Sequence, residues 1–176
     1  MKKKIVIAFG IIALCFGCFL ILKISQKYNQ NKAIALQKQT LPNFQLYDQN
    51  LDHFSGGQLK KATPVCIFYY NADCEHCQYE ATQIKKNITA FNNTQILMVS
   101  VNKPEEVTKF AKTYNLDQYP HITWLYDKDY NFYKWFGNTP TPSVFIYNSQ
   151  HKLLKEYKGE VKIELVLKHL KSGKES

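Results

Sequence analysis

At 176 residues the chain has room for one ordinary domain and an appendage. Its 45% hydrophobic content, with 12 Tyr, 11 Phe and 2 Trp, supplies a core and excludes a wholly disordered chain. The net charge of +9 invites a nucleic-acid reading, but Lys2, Lys3, Lys4, Lys23 and Lys27 flank an N-terminal apolar run, leaving 18 lysines against 14 acids elsewhere. All 23 basic residues are lysine, so the bidentate arginine contacts that read guanine are missing, and no nucleic-acid partner is expected.

Ile5 to Leu22 are 18 consecutive residues without a charge. As a helix they span about 27 Å, close to the hydrocarbon thickness of a bilayer. The basic start predicts a cytoplasmic N-terminus and an exported remainder. The first reading is therefore a transmembrane anchor over residues 1–24, with lipid contact through residues 5–22. A cleaved signal peptide is the rival, although its apolar stretch is normally shorter and the only A-x-A site, Ala33-Ile34-Ala35, lies late. A lipoprotein signal at Cys18 is a third reading. All three export the domain.

Residues 25–40 are rich in Gln, Asn and Lys and read as a polar linker, followed by a domain over 41–171 and a tail over 172–176. Phe44 to Tyr47 alternates apolar and polar like a half-buried strand, and Leu51 to Phe54 can return as its partner. Val65 to Tyr70 is a continuous apolar run, as in a strand covered on both faces. Cys77, Ala81, Ile84, Ile88 and Phe91 then recur at helical spacing. Gln95 to Val101 is a second buried strand. Pro104, Glu105 and Glu106 open a helix whose inner face is Val107, Phe110, Ala111 and Tyr114. Ile122 to Tyr126 is a short strand, Tyr130 to Phe136 a brief helix, and Ser143 to Tyr147 another buried strand. Leu153 to Tyr157 pairs back, and Ile163, Val166, Leu167 and Leu170 line a last helix. Parallel strands joined by helices and closed by an antiparallel hairpin give an α/β three-layer sandwich.

Cys74-Glu75-His76-Cys77 follows the first long buried strand and opens a helix. Two cysteines separated by two residues can close a small disulfide ring, and a helix N-terminus favours the negative charge of a thiolate. The spacing suits electron exchange with other thiols. Cys74 is the expected nucleophile and Cys77, one turn further in, the resolving thiol. His76 is a candidate for stabilising the thiolate. A metal site is the competing reading, but zinc needs two further ligands and no second such pair exists outside the N-terminal apolar run. Cys15-Phe16-Gly17-Cys18 has the same spacing inside the apolar run, where it reads as small side chains of a membrane helix, and Cys66 reads as core filler. The aromatic stretch from Tyr119 to Phe136 reads either as core with tyrosines at its rim or as a surface for an apolar partner.

The order of elements and the position of the cysteine pair resemble the thioredoxin superfamily. With the short N-terminal hairpin from Leu41-Pro42-Asn43-Phe44, the chain looks like the membrane-tethered, extracytoplasmic reductases of bacteria of the TlpA/ResA type. Glu80 matches the acid of the pattern CxxCxxE, and Pro142-Ser143-Val144-Phe145-Ile146-Tyr147-Asn148 resembles the family's proline, strand and turn. The resemblance implies a thioredoxin-like mixed sheet with an N-terminal hairpin. It implies a carboxylate at Glu80 that manages the cysteines' protons, and a cis-proline at Pro142 whose segment, with Thr141, binds extended substrate. It implies no cofactor beyond the Cys74–Cys77 disulfide, no metal, client proteins with thiols or disulfides as substrates, and a membrane electron donor or acceptor. Asp73 stands where relatives carry Trp, and His76 where many carry Pro. The leading expectation is a periplasmic-side thiol–disulfide oxidoreductase that reduces client disulfides. The alternatives are a disulfide oxidase or isomerase, and a non-catalytic binding or metal-carrier module. Peroxidase chemistry is disfavoured, because no PxxxTxxC motif ends at Cys74.

Overall fold

The computed structural model describes residues 2–173, with side chains from residue 14 onward. A 36-residue helix, α1, runs from Lys2 to Gln37. At 1.5 Å per residue it is about 54 Å long. Among the described residues no helix is long and apolar enough to cross a membrane. The expected span over 5–22 lies in part outside them, since the side chains of Ile5 to Ala13 are not described. Leu14, Phe16, Phe19, Leu20, Ile21, Leu22 and Ile24 are all exposed.

The polar stretch 25–40 continues α1 as far as Gln37 and then joins the domain. Ile34 is buried. The Lys38 ammonium donates to the Glu156 carboxylate at 2.5 Å and to the Phe136 carbonyl at 3.4 Å. The Tyr147 hydroxyl donates to the Lys38 carbonyl at 3.1 Å, and Thr40 bridges Lys152. Composition alone places the domain boundary at Leu41. The folded unit reaches back to Ile34, because one apolar residue and one ion pair suffice to dock an otherwise polar helix end.

The domain is built from β1 (Gln45–Tyr47), β2 (His53–Ser55), β3 (Val65–Tyr70), α2 (Glu75–Lys86), β4 (Gln95–Ser100), α3 (Pro104–Thr113), β5 (Ile122–Tyr126), α4 (Phe132–Phe136), β6 (Ser143–Tyr147), β7 (Leu153–Lys158) and α5 (Ile163–Ser172). The seven strands form one sheet in the order β2-β1-β5-β4-β3-β6-β7. β3 pairs in parallel with β4, and β4 with β5, while β6 runs antiparallel to β3 and to β7. β1 runs antiparallel to β2 and to β5. The sheet is therefore mixed and carries the N-terminal hairpin on one edge.

Side chains alternate across the sheet, which explains the uninterrupted apolar runs. Cys66, Phe68 and Tyr70 of β3 face the layer of α2, α3 and α5, together with Ile96, Met98, Val144 and Ile146. Val65, Ile67, Leu97, Val99, Phe145 and Tyr147 face the opposite layer, where Phe44, Leu46, Phe132 and Phe136 cover them. The aromatic stretch thus divides: Trp124, Phe132 and Phe136 are core, and Tyr130 and Tyr133 are exposed.

α4 begins against a buried carboxylate. Asp127 accepts the Asn131 N–H at 2.7 Å and the Phe132 N–H at 3.1 Å. Burial raises its pKa, and those two N–H groups oppose the rise. Removing the carboxylate leaves two inward backbone donors unpaired. Asp127→Ala is expected to cost about 1–3 kcal/mol, read as a lower urea midpoint with an unchanged slope. An unchanged midpoint would show that α4 does not depend on this cap.

Candidate active site

The carboxyl ends of β3 and β4 build the site. After Tyr70 the chain turns through Asn71-Ala72-Asp73 into α2. Asn102, just past β4, holds this turn: its side-chain oxygen accepts the Ala72 N–H at 2.9 Å and the Ser100 hydroxyl at 2.8 Å. The Asn71 side chain accepts the Asp73 N–H at 2.9 Å, and the Gln78 amide donates to the Ala72 carbonyl at 2.9 Å. Cys74 becomes the N-cap of α2, with extended backbone (φ −86°, ψ 118°), and its carbonyl accepts the Gln78 N–H at 3.0 Å. Its side chain is half-buried.

Cys77 lies one turn into α2 and is buried. Both cysteines are free thiols. Burial pushes the Cys77 thiol well above its ordinary range. The Asn71 N–H, which donates to Cys77 Sγ at 3.5 Å, works against that rise. An accessible sulfur at the helix start and a protected one behind it is the arrangement that mixed-disulfide chemistry needs.

Glu80 sits one turn beyond Cys77, only 3% exposed. Its Oε1 has no hydrogen-bond partner among the described residues. Burial, with the charge of Glu160 second, pushes its pKa up to about 8. Cys77 and Glu80, three residues apart, are both buried residues of α2. His76 is exposed and turns toward the loop between β7 and α5, where its Nδ1 pairs with Glu160 Oε2 at 2.5 Å.

Thr141–Pro142 is a cis peptide bond. Ser143 opposes Tyr69 in the antiparallel pairing of β6 with β3, so Thr141 and Pro142 lie beside the turn that leads into Cys74. The Pro142 carbonyl accepts the Gly159 N–H at 2.8 Å, and outside the regular elements no backbone hydrogen bond involves Thr141. On the α3 side, a cleft of about 290 Å³ lined by Ala72, Asp73, Gln78, Phe110 and Tyr114 adjoins the cysteine turn. Among the described residues no cluster of three or more His, Cys, Asp or Glu could hold a metal ion. Asn71, Asn102 and Glu160 escaped the sequence reading. Asn71 carried a faint signal, three residues before the motif. Asn102 and Glu160 carried none, because only the sheet and the β7–α5 loop bring them to the turn and to α2.

The fold is that of the thioredoxin superfamily. The chain belongs to the AhpC/TSA family, which matches residues 38–156. Among solved structures, it is similar to a secreted Mycobacterium tuberculosis disulfide oxidoreductase homologous to E. coli DsbE, at 15% identity and TM-score 0.63, over 74% of this chain and 96% of that one. It is similar to the peroxidoxin BcpB of M. tuberculosis, at 20% identity and TM-score 0.65, over 76% and 94%. It is also similar to StoA of Bacillus subtilis, at 16% identity and TM-score 0.56, over 72% and 94%. At these identities the likeness speaks for the fold. No curated protein matches the chain in sequence.

Proposed function

We propose that the chain is a thiol–disulfide oxidoreductase whose Cys74–Cys77 pair reduces disulfides of client proteins. The observation that carries this reading is the pairing of a half-buried Cys74 at the helix N-cap with a buried Cys77 that accepts the Asn71 N–H. In the forward direction the Cys74 thiolate attacks one sulfur of a client disulfide, and the other client sulfur leaves as a thiolate. Cys77 then loses its proton and attacks Cys74 Sγ, which releases the second client thiolate. The client gains two electrons and leaves as two thiolates, which take their protons from solvent, and the protein keeps the disulfide. Glu80 is the proton carrier for Cys77. With a pKa of about 8 it is ionised in about one molecule in ten at pH 7, and that form takes the proton as Cys77 attacks. It can return that proton to Cys77 when a membrane donor reopens the ring. The unpaired backbone of Thr141 beside the turn offers an edge to an extended client segment.

α1 supports an extracytoplasmic, membrane-anchored location. Apolar side chains from Leu14 to Ile24 are exposed around the helix, and burial in lipid removes that cost. With the lysines at its start, this supports an anchor over residues 5–22 and a domain on the extracytoplasmic side.

A second reading is a thiol peroxidase, favoured by the AhpC/TSA family match. Ile67 and Asn71 stand where PxxxTxxC requires Pro and Thr. The deciding experiment equilibrates the full-length protein in glutathione buffers and assays insulin reduction beside peroxide consumption. A potential well below about −200 mV with insulin turnover supports the reductase. A potential near −120 mV turns the assignment to an oxidant. Peroxide turnover without insulin turnover overturns both.

A further inference from the structure

Glu160 belongs to a loop fixed at both ends. Gly159, with φ +88°, hangs by its N–H from the Pro142 carbonyl, and Val161 is buried in the core beneath α2 and α5. Between them the Glu160 carboxylate meets the His76 imidazole, 84 residues away in sequence. One loop therefore touches both the cysteine helix and the Pro142 segment. The pair is exposed, with side chains 70% and 41% accessible, so its direct contribution to stability is small. Its effect falls on what lies beside it.

We propose that Glu160 is a positioning residue of the redox centre: it holds the His76 imidazole on the α5 side of α2. With Glu160 in place, the imidazole is engaged by a carboxylate and does little for the Cys74 sulfur. Glu80 is faced by Cys77 from its own helix, Cys66 from β3 and Glu160 from the loop. The buried residues of α5, Ile163, Val166 and Leu170, bring no charge. Glu160 is thus the one carboxylate among these neighbours. Its charge helps hold the Glu80 proton into the alkaline range.

The inference rests on the thiol–disulfide reading, and the test separates the two. Full-length wild type, Glu160→Gln, His76→Ala and the double variant are titrated in glutathione buffers, and each is checked for an unchanged circular dichroism spectrum. In Glu160→Gln the freed imidazole stabilises the reduced, thiolate form. The equilibrium constant with glutathione is expected to move about three- to tenfold toward a stronger oxidant, tenfold being about 30 mV. His76→Ala should change the wild type little and cancel most of the shift in Glu160→Gln. The pH midpoint of the reaction that depends on Glu80 should fall in Glu160→Gln. A wild type that never forms the disulfide overturns the redox reading and this inference with it. A wild type that titrates, with Glu160→Gln matching it in both potential and pH midpoint, overturns the positioning role alone.

Discussion

Cys77→Ser is expected to accumulate client proteins as mixed disulfides on Cys74, whereas Cys74→Ser accumulates none. The two sulfurs differ in reach and in chemistry. Cys74 caps α2 at the end of a turn pinned by Asn71, Asn102 and Gln78, where a client sulfur can approach. Cys77 is buried behind it, and burial holds its thiol in the protonated form. A protonated thiol is a poor nucleophile, so Cys77 reacts only when the mixed disulfide brings a sulfur within its hydrogen-bonding reach. Without Cys77 the first step proceeds and the second has no attacker, so turnover should fall by on the order of a thousandfold or more while adducts build up. Non-reducing gels with a reduced-lane control read the result. The converse pattern, with adducts on Cys77 and none on Cys74, would reverse the roles. Equal trapping by both variants would show that the buried sulfur is reached as readily as the outer one, against the geometry of the turn.

The sequence made some of this legible and hid the rest for identifiable reasons. Val65 to Tyr70, Gln95 to Ser100 and Ser143 to Tyr147 announced themselves as strands because both faces of the sheet are covered, and an apolar run of that length has few other uses. Cys74, Cys77 and Glu80 were legible because they share one helix, where spacing alone fixes which side chains stack. The segment 25–40 misled because composition reports solvation. The docking of α1 depends on Ile34 and on Lys38 reaching Glu156, two residues in a polar background. Glu160 was invisible for a related reason. Its partner His76 comes from another element, and no periodicity links a loop after β7 to the start of α2. Local pattern therefore carried the cysteine pair and the acid one turn beyond it. Asn102 and Glu160, which other elements bring to the turn and to α2, became visible only in three dimensions.

Glu80→Gln is expected to flatten the pH dependence of stability and to leave the protein more stable than wild type at alkaline pH. Burial raises the Glu80 pKa from 4.5 to about 8. Between those values the folded protein holds a proton that the unfolded chain has released. Unfolding then releases a proton, and stability falls as pH rises. The contribution is complete below about pH 4.5 and lost by about pH 8. For a side chain this deeply buried it amounts to roughly 3–5 kcal/mol. His121 and His169, whose pKa values burial lowers, give the opposite slope at acid pH. The comparison is therefore the difference between variant and wild type, both fully reduced, in which the histidines cancel. Urea midpoints at pH 5.5 and pH 9 should diverge in favour of Glu80→Gln as pH rises. Its thiol–disulfide rate should lack the break near pH 8 expected of wild type, in which Glu80 carries the Cys77 proton. Parallel stability curves over that interval would mean that Glu80 ionises as an ordinary surface acid. The buried carboxylate would then have no claim on the chemistry of the cysteine behind Cys74.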